Sequence, residues 1–593
     1  MAKTTKKANK GTMKKVLTYI GRYKLLLPIS IVLALITVGT TLYLPMLIGD
    51  AINLIEADNI DFTKISELFI IGAVMIGITA VAQWLMSTIN NKISFNVVRD
   101  IRNDAFNKIQ SLPLSYLDRQ SRGDLVARVI NDADRFAEGL LLSFTQLFTG
   151  ILTIIGTLIF MLIINPIIAL AVVILTPLSL FVAKYIGTRT HSMFKKRSED
   201  EADLTSVIEE YIGNQKLVKA FGFEQRATQK FKNVNESLQK SSLRAIFFSS
   251  LVNPTTRFVN NIVYAVVALV GALIAIYSKD TAGSVIFLTL SVGELTSLLA
   301  YVNQYTKPFN EISGVITEFQ GALACASRVF ELIDEASETP DGENAVVLTD
   351  VRGNVELSGV AFSYSEDKPL IESLNLTVTP GQRVAIVGPT GCGKTTLINL
   401  LMRFYDINQG RISVEGEDIR NLTRKSLRES YGMVLQDTWL RHGTIRENIA
   451  MGKTDATNDE IIAAAKATHA HSFIKRLKNG YDTVIGEGGD GLSQGQKQLI
   501  CITRVMLALP SMLILDEATS SIDTRTEMKI QEAFLKMMQG RTTFIVAHRL
   551  STIENADVIL VMNNGKIVES GKHLELIERG GFYSKLWNSQ FAH

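Results

Sequence analysis

The chain has 593 residues, which is too many for one compact domain, so at least two domains are expected. A formal net charge of only +3 gives no strongly basic surface, and we expect no nucleic-acid partner. Hydrophobic residues make up 47% of the chain and the mean hydropathy is +0.19, which argues against a wholly soluble protein.

Six apolar segments in the first half are long enough to cross the hydrocarbon core of a bilayer, which takes about 20 helical residues. No cleavage site is evident after the first of them, so we interpret it as a retained span rather than a signal peptide. A basic tail and an interfacial helix over residues 1–24 precede a transmembrane domain over 25–334. The predicted spans are residues 25–49, 67–89, 140–164, 167–187, 252–277 and 284–306.

The distribution of lysine and arginine orients these spans. The N-terminal tail and the long polar segments 92–135 and 184–245 are rich in Lys and Arg, whereas 50–64 is acidic. The N-terminus and both long segments are therefore predicted to be cytosolic. Two short stretches, 114–118 and 209–215, interrupt the helical pattern of these segments. Each is either a simple turn or a docking surface for another domain.

Few polar residues fall near or within the spans. Charged side chains in a bilayer are costly and so are functional candidates, although ordinary pairing or exposure is the more common explanation for Arg257 and Glu294. The remaining polar candidates are Gln83, Asn90, Asn260, Asn261, Asn303 and Gln304. An apolar lining suited to lipophilic or amphipathic cargo is expected from Phe144, Phe148, Phe160, Met161 and Phe258, unless these side chains simply face lipid.

The pattern changes in the second half of the chain. Segment 335–352 is polar, contains Pro and Gly, and is predicted to be a linker. Residues 353–593 alternate short β-branched runs with helical patterns and predict an α/β domain. One strand pattern leads into a loop and a helix that satisfy G-x-x-x-x-G-K-[ST] in the context this motif needs. The loop residues are Gly388, Pro389, Thr390, Gly391, Cys392, Gly393, Lys394, Thr395 and Thr396.

This loop predicts binding of ATP with Mg²⁺. Its glycines let backbone N–H groups wrap the phosphates, Lys394 reaches the β- and γ-phosphates, and Thr395 holds the metal. Downstream, an apolar strand ends in Asp516 and Glu517. Asp516 is placed to hold Mg²⁺, and Glu517 is placed to polarise the attacking water as the general base.

Taken in order, these motifs resemble the nucleotide-binding domain of an ABC transporter. With six spans before them, the whole chain resembles an ABC exporter half-transporter of the type IV fold. The expected fold class is a membrane all-α six-helix transmembrane domain fused to a cytosolic α/β P-loop ABC nucleotide-binding domain. The resemblance also implies that 114–118 and 209–215 are coupling helices touching nucleotide-binding domains, and that 487–490 helps to transmit the signal.

The resemblance assigns further site residues. Tyr364 is expected to stack on adenine, and His548 to contact the γ-phosphate as part of the catalytic set with Glu517. Gln436 is expected to meet Mg²⁺ and to link the site to the membrane helices, and Asp523 lies in the loop that crosses to a partner domain.

The signature segment 492–496 reads LSQGQ where the family usually has LSGGQ. In the family, Ser493, Gln494 and Gly495 would face the nucleotide held by a partner's P-loop. Glycine permits close backbone approach, and the helix N-terminus attracts the γ-phosphate. Gln494 adds a side chain there, so that site is expected to close less well or to hold nucleotide without hydrolysing it. Alternatively, Gln494 points into solvent and costs little.

An intact P-loop set combined with an altered signature suits a heterodimer. The chain resembles the subunit with the intact catalytic glutamate in bacterial heterodimeric multidrug exporters. The expected partner is a second half-transporter with a regular signature and no catalytic carboxylate. A homodimer that tolerates Gln494 is the main alternative.

The predicted function is ATP-driven export of lipophilic small molecules across the bacterial cytoplasmic membrane, with both termini in the cytosol. A homodimeric flippase for lipid or lipopolysaccharide remains an alternative. An ATP-gated channel or regulatory subunit ranks lower, because the chain has neither a regulatory insert nor a continuous charged pore.

Overall fold

The computed structural model describes residues 2–56, 60–280, 290–365, 369–436, 438–516, 522–546 and 550–590. The chain divides into two compact units. The N-terminal unit comprises Met1–Gln110 and Ser121–Glu335, and the C-terminal unit comprises Ser111–Gln120 and Ala336–His593. The short segment Ser111–Gln120 therefore belongs to the C-terminal unit, although the chain on either side of it belongs to the N-terminal unit.

The described residues of the first half of the chain form helices joined by short connections. Single-turn π-helices interrupt the helical segment at Arg128–Asp132, before the third predicted span, and at Ser143–Leu147, within it. The α-helices are α1 (Ala2–Gly21), α2 (Leu26–Glu56), α3 (Phe62–Ser111), α4 (Leu114–Arg119), α5 (Arg122–Ala127), α6 (Ala133–Leu142), α7 (Phe148–Ile164), α8 (Pro166–Gly213), α9 (Gln215–Ala220), α10 (Glu224–Ser250), α11 (Val252–Asp280) and α12 (Val292–Asp334).

These helices agree with an all-α membrane domain. By length and composition alone, four helical segments of the described chain could cross a membrane, and they cover the first, second, third and fifth predicted spans. They are Leu26–Ile55, Phe62–Ser111, Arg122–Ile164 and Glu224–Ile276. The fourth predicted span falls on α8, whose apolar stretch Pro166–Pro177 is shorter. The sixth falls on α12, and residues 284–289 of that prediction lie outside the described residues.

Local chemistry explains where two of these helices begin. Asn165 caps α8, because its Oδ1 accepts hydrogen bonds from the backbone N–H groups of Ile167 and Ile168, both at 3.1 Å. Ser291 and Glu294 form a capping box at the start of α12, which places Glu294 in the first turn of that helix. The carboxylate of Glu294 thus has a structural role at the helix end.

The membrane helices pack through small residues and buried side chains. A Cβ added at Gly293 of α12 would lie 2.0 Å from the carbonyl oxygen of Gly49 in α2, so the two backbones touch. Tyr301 is fully buried, and its hydroxyl donates to the carbonyl of Leu42 at 2.5 Å. Close backbone contact and interhelical hydrogen bonds hold helices together where lipid is as apolar as the side chains.

The second half of the chain contains three sheets within its described residues. The largest has the strand order β12-β11-β3-β10-β9-β6, parallel except for β12. An antiparallel sheet has the order β2-β1-β4-β5, and β7 pairs with β8. The strands are β1 (Val355–Phe362), β2 (Ile371–Val378), β3 (Arg383–Val387), β4 (Gln409–Val414), β5 (Glu417–Asp418), β6 (Tyr431–Val434), β7 (Gly443–Thr444), β8 (Val484–Ile485), β9 (Met512–Asp516), β10 (Thr542–Val546), β11 (Val558–Asn563) and β12 (Lys566–Gly571).

Both faces of the largest sheet are covered by apolar side chains. Along β3, Val384 and Ile386 belong to one core cluster, and Ala385 and Val387 belong to the other. This alternation explains why the strand is a continuous apolar run. The surrounding helices are α13 (Lys394–Leu401), α14 (Arg424–Glu429), α15 (Ile445–Ala450), α16 (Asn458–Ala467), α17 (His471–Ile474), α18 (Gln494–Ala508), α19 (Thr524–Met538), α20 (Leu550–Glu554), α21 (His573–Glu578) and α22 (Phe582–Gln590).

The predicted linker is attached to the C-terminal unit along part of its length. Asp341 accepts two hydrogen bonds from Arg424, at 3.0 Å from its backbone N–H and 2.8 Å from its guanidinium. Glu338 accepts one from Arg428 at 3.0 Å, and Val346 forms a parallel bridge with Leu422.

Candidate functional site

The carboxyl edge of the largest sheet gathers residues that are distant in the sequence. Within β10, Val546 pairs with Ile386 of β3 on one side and with Asp516 of β9 on the other. On the far side of β9, Leu515 pairs with Val434, the last residue of β6, two residues before Gln436. Parallel strands end at the same edge, so the P-loop, Asp516 and Gln436 all emerge there.

The loop after β3 has a backbone that requires glycine. Gly391 and Gly393 have φ values of +82° and +103°, which side chains with a Cβ rarely adopt. A Cβ at Gly388 would lie 2.2 Å from the carbonyl oxygen of Met562. Gly393 caps α13, so the loop ends at the N-terminus of a helix. Such a loop presents backbone N–H groups to an anion, and this is the geometry that phosphates need.

Side chains of the loop divide into buried and accessible groups. The ammonium of Lys394 donates to the carbonyls of Gly388 and Pro389, at 2.7 and 3.1 Å, which holds it over the loop where a phosphate could take over these bonds. Thr390 and Thr395 are exposed, whereas the Cys392 thiol is buried beneath the loop with 3% exposure. Thr395 is therefore free to offer its hydroxyl to a metal ion.

Tyr364 lies next to this loop. Its hydroxyl is 3.1 Å from the hydroxyl of Thr396, and its ring meets Phe362 and Tyr405 edge to face, with centroids 4.9 and 5.1 Å apart. The ring is 41% exposed, so it has an open face on which a base could stack. The expected adenine-binding aromatic and the phosphate loop thus lie side by side.

Oxygen donors suited to Mg²⁺ come from Thr395, Gln436 and Asp516. Mg²⁺ prefers oxygen ligands and is usually held by one or two protein carboxylates together with substrate phosphates, which this set fits. Glu517 and His548, the predicted general base and γ-phosphate contact, lie outside the described residues. Their roles stay predictions.

The signature segment opens α18. Ser493 and Gln496 form a capping box: the Ser493 hydroxyl accepts from the backbone N–H of Gln496, and the Gln496 side chain accepts from the backbone N–H of Ser493 at 3.0 Å. Gln494 is the first residue of the helix and is exposed. Its amide nitrogen donates to the hydroxyl of Thr438 at 3.3 Å, so the side chain has a partner as well as solvent around it.

Gly495 and Asp523 join α18 to α19. Gly495 is buried, and a Cβ there would lie 2.4 Å from the Thr526 methyl. Asp523 caps α19 by accepting from the backbone N–H of Thr526 at 3.0 Å, and this bond lowers the pKa of its carboxyl. Both residues therefore have structural roles that family motifs alone do not reveal.

The first predicted coupling stretch forms helix α4, which is attached to the C-terminal unit. Asp118 accepts a hydrogen bond from the Tyr405 hydroxyl at 2.5 Å, and Arg119 donates to the carbonyl of Tyr364 at 3.2 Å. Burial, followed by the nearby Asp118 carboxylate, raises the pKa of Tyr405. The second predicted stretch, 209–215, is displaced: α8 continues to Gly213, and the short helix is α9, which begins at Gln215. Asn214 bonds back to Glu210, so the break occurs only there.

The expected apolar lining of the membrane unit is corrected by the packing. Met161 is completely buried, and Phe160 packs against Tyr301 with ring centroids 5.6 Å apart, so both lie within the helix core. Phe144 stacks on Phe148, and Phe258 is 66% exposed. Only part of that set is available to a ligand.

Comparison with known proteins decides the family. The family described as "ABC transporter transmembrane region" matches residues 27–308, and the family described as "ABC transporter" matches 371–520. A "Fatty acid ABC transporter ATP-binding/permease protein" of Mycobacterium tuberculosis is 41% identical over 90% of this chain and 83% of that protein. This chain belongs to the ABC exporter family. It binds ATP and hydrolyses it, as the family does.

Two further comparisons place this ABC exporter among its relatives. A "Putative multidrug export ATP-binding/permease protein YgaD" of Bacillus subtilis is 36% identical over 98% of this chain and 99% of that protein. A bacterial Atm1-family ABC exporter with ATP bound has a similar structure, with a TM-score of 0.77 and 28% identity over 95% of this chain and 98% of that one. The predicted fold class is confirmed.

Some residues of this ABC exporter's site were not found by sequence reasoning. Thr438 accepts a hydrogen bond from Gln494, Thr526 leaves no room for a Cβ at Gly495, and Tyr405 donates a hydrogen bond to Asp118 of α4. Thr438 follows Gln436 closely, so a search around that glutamine would have included it. Nothing in the sequence around Thr526 or Tyr405 signals its contact.

Proposed function

We propose that this chain is the catalytically competent half of a heterodimeric exporter that drives lipophilic or amphipathic compounds across the cytoplasmic membrane of a bacterium. One observation carries the proposal. The P-loop, Asp516 and Gln436 emerge at one sheet edge, whereas a glutamine opens the signature helix. The chain therefore contributes one half-site with the usual residues, at the P-loop, and one with an altered residue, at the signature.

The intact half-site assigns a role to each residue. Lys394 and the loop N–H groups bind the phosphates, and Tyr364 supports the base. Thr395 and Asp516 would hold Mg²⁺, and Gln436 emerges at the same edge of the sheet. Glu517 directly follows Asp516 and orients the attacking water, and His548 contacts the γ-phosphate. Removal of Glu517 thus eliminates turnover while leaving ATP binding.

The altered half-site belongs to the signature. Its helix N-terminus would face nucleotide on the partner's P-loop, where Ser493 and the N–H groups of Gln494 and Gly495 attract negative charge. The Gln494 side chain reaches Thr438 and adds bulk at that face. This site holds ATP more than it hydrolyses it, and the partner consequently has no need of a catalytic carboxylate. Asp523 lies at the loop that crosses to that partner.

Names of relatives support hydrophobic cargo of two kinds. One relative is named for fatty acids and another for multidrug export. A lipophilic or amphipathic substrate agrees with both names, and multidrug export is the form we propose. The second candidate is a homodimeric lipid flippase, in which two copies of Gln494 would be tolerated. The name of the fatty-acid relative agrees with a lipid as cargo.

The test is the ATPase rate of the purified chain in lipid nanodiscs, with Glu517→Gln as the control. A heterodimer subunit alone is silent, and activity dependent on Glu517 appears when a half-transporter with a regular signature is co-expressed. If the chain alone turns over ATP at a rate that Glu517→Gln removes, the heterodimer proposal fails and the homodimeric flippase replaces it. Turnover that survives Glu517→Gln would refute the assignment of the base.

A further inference from the structure

A large polar cavity lies in the N-terminal unit. Its volume is about 700 Å³, and helices α11 and α12 contribute most of its walls. Four charged side chains line it: Arg257 from α11, and Lys307, Glu311 and Glu318 from α12. The side-chain amides of Gln146, Asn260, Asn261 and Asn303 line it as well. This lining differs from the apolar one that the sequence suggested.

The four charged groups of this cavity have no ion-pair or hydrogen-bond partner among the residues that the structure describes. The amide oxygen of Asn260 is buried and also has no hydrogen-bond partner among the described residues. Charged side chains without an ion-pair partner are costly in a membrane domain, so they occur mainly where water or a ligand contacts them.

The positions along the two helices separate the charges. A Cβ at Gly271 of α11 would lie 2.4 Å from a methyl of Leu295 in α12, so these two residues are at the same height along the antiparallel helices. Arg257 lies fourteen residues before Gly271, and Phe309 lies fourteen residues after Leu295. At 1.5 Å per residue, Arg257 and Phe309 are therefore also at the same height. Arg257 and Lys307 therefore lie at one level with Glu311, which leaves an excess of one positive charge. Glu318 lies roughly 16 Å along α12 from Lys307.

An apolar stripe begins beside this charged level. Exposed apolar side chains recur on α11 at helical spacing, starting one residue after Arg257: they are Phe258, Ile262, Leu269, Leu273 and Ile276. From Ile262 to Ile276 the stripe is about 21 Å long. A polar, cationic level continuing into an apolar stripe matches a molecule with an anionic head and an extended apolar tail.

We propose that this cavity binds the head group of a single-chain anionic amphiphile, with Arg257 and Lys307 holding the anion and the neighbouring amides donating to it. The inference rests on the proposed function, because it treats the cavity as part of the path of the cargo. It names the substrate class: amphiphiles whose head carries a carboxylate or another single anion. Neutral and cationic amphiphiles of the same chain length bind less well.

The test uses equilibrium binding of three radiolabelled probes to the full chain in nanodiscs without nucleotide, with empty nanodiscs subtracted. The probes are dodecanoate at a pH where it is ionised, monododecanoylglycerol and dodecyltrimethylammonium. We expect Arg257→Gln and Lys307→Gln each to weaken dodecanoate binding about tenfold, because each removes a charge-assisted hydrogen bond. Binding of monododecanoylglycerol changes by less than about twofold in both variants.

Two further variants make the result specific. Arg257→Lys retains most of the dodecanoate affinity, and Arg244→Gln, which removes an exposed arginine of α10 outside the cavity, leaves all three probes unaffected. Folding of each variant is checked by thermal unfolding of the full chain in nanodiscs. Equal binding of the three probes, or equal losses in Arg244→Gln and Arg257→Gln, would overturn the proposal.

The ATPase assay on the chain co-expressed with a half-transporter that has a regular signature separates this inference from the proposed function. If Glu517→Gln abolishes turnover while head-group charge has no effect on binding, the exporter proposal stands and the substrate class is wrong. If turnover persists in Glu517→Gln, the assignment of the ATP site fails, whatever the binding of the probes shows.

Discussion

Gln494 and Gly495 are neighbours at the start of α18, yet the structure constrains them in opposite ways. Gly495 is packed against Thr526 so closely that a Cβ has no room, whereas the side chain of Gln494 is exposed and reaches Thr438. One glycine of the usual pair is thus required by packing within this chain. Packing within this chain does not restrict position 494. A side chain there instead affects the binding of a nucleotide held by a partner.

Replacing Gly495 by alanine tests this contrast. The added methyl overpacks the contact with Thr526, and we expect Gly495→Ala to destabilise the protein by about 1–3 kcal/mol. Gln494→Ala is the matched control and changes stability by less than about 0.5 kcal/mol. Thermal unfolding of the full chain in nanodiscs measures both. Equal stability of the two variants would show that α19 moves away at little cost.

At the scale of elements, side-chain hydrogen bonds attach helix α4 to the nucleotide site within the C-terminal unit. Tyr405 donates to Asp118 at one end of the helix, and Arg119 reaches the carbonyl of Tyr364. Tyr364 also touches the P-loop through Thr396. A short path of hydrogen bonds therefore runs from α4 to the loop that binds phosphate.

Weakening the attachment of α4 to the C-terminal unit is predicted to uncouple transport from hydrolysis. In the co-expressed pair of half-transporters, Tyr405→Phe and Asp118→Ala each reduce the stimulation of ATPase by transported amphiphile several-fold, because a hydrogen bond to a carboxylate contributes about 1.5–3 kcal/mol. Basal ATPase stays within about twofold. The double variant resembles either single one, since both remove the same bond. Arg122→Gln in α5 is the control, and a similar loss of stimulation in it would contradict the prediction.

Helix α16 carries a pH-sensitive cap. Glu460 accepts hydrogen bonds from the Lys453 ammonium and the Thr457 backbone N–H, both at 2.7 Å. These bonds, that of Lys453 first, lower the pKa of Glu460 from its ordinary value of 4.5 to about 2. A lowered folded-state pKa stabilises the protein above the unfolded pKa, and this contribution is lost as the pH falls.

The expected result follows from that sign. Glu460→Gln lowers the unfolding temperature at neutral pH, and the difference from the parent protein shrinks as the pH falls from 4.5 towards about 2. Glu578→Gln, at the end of α21, serves as a control and shows no such trend. A constant difference across this pH range would mean that Glu460 does not titrate through its cap.

For the whole molecule, the charge pattern around the spans predicts orientation. The segment before α3 is acidic, and the long polar segments are basic, so we expect the first to face outward and the others to face the cytosol. This orientation would put the ATP site in the cytosol, where ATP is found. It would also leave both termini on the cytosolic side.

Site-directed labelling tests this orientation. In a chain whose three cysteines are replaced by alanine, Thr63→Cys in α3 should react with a membrane-impermeant maleimide added to intact cells. Thr228→Cys in α10 should react only after lysis. Both positions are exposed, so access alone does not distinguish them. Labelling of Thr228→Cys in intact cells would reverse the assigned topology.

Features that depend on neighbouring residues were accessible from the sequence. The length of the apolar segments predicted the membrane helices. The glycines and Lys394 predicted the phosphate loop, and Asp516 was predicted at the end of a strand. These predictions were possible because strand, loop and helix are local patterns. The predicted position of the second coupling stretch was wrong, because α8 continues to Gly213 and the helix is interrupted only at Asn214.

Contacts between distant residues were decided only by the tertiary structure. Gly495 meets Thr526, Gln494 meets Thr438, and Tyr405 meets Asp118, which is 287 residues away in the sequence. Arg257 and Lys307 line one cavity because α11 and α12 pack antiparallel. The sequence by itself determined which helices and loops form and what chemistry they carry. Packing determined which of those groups meet, because burial and close contact depend on the whole chain at once.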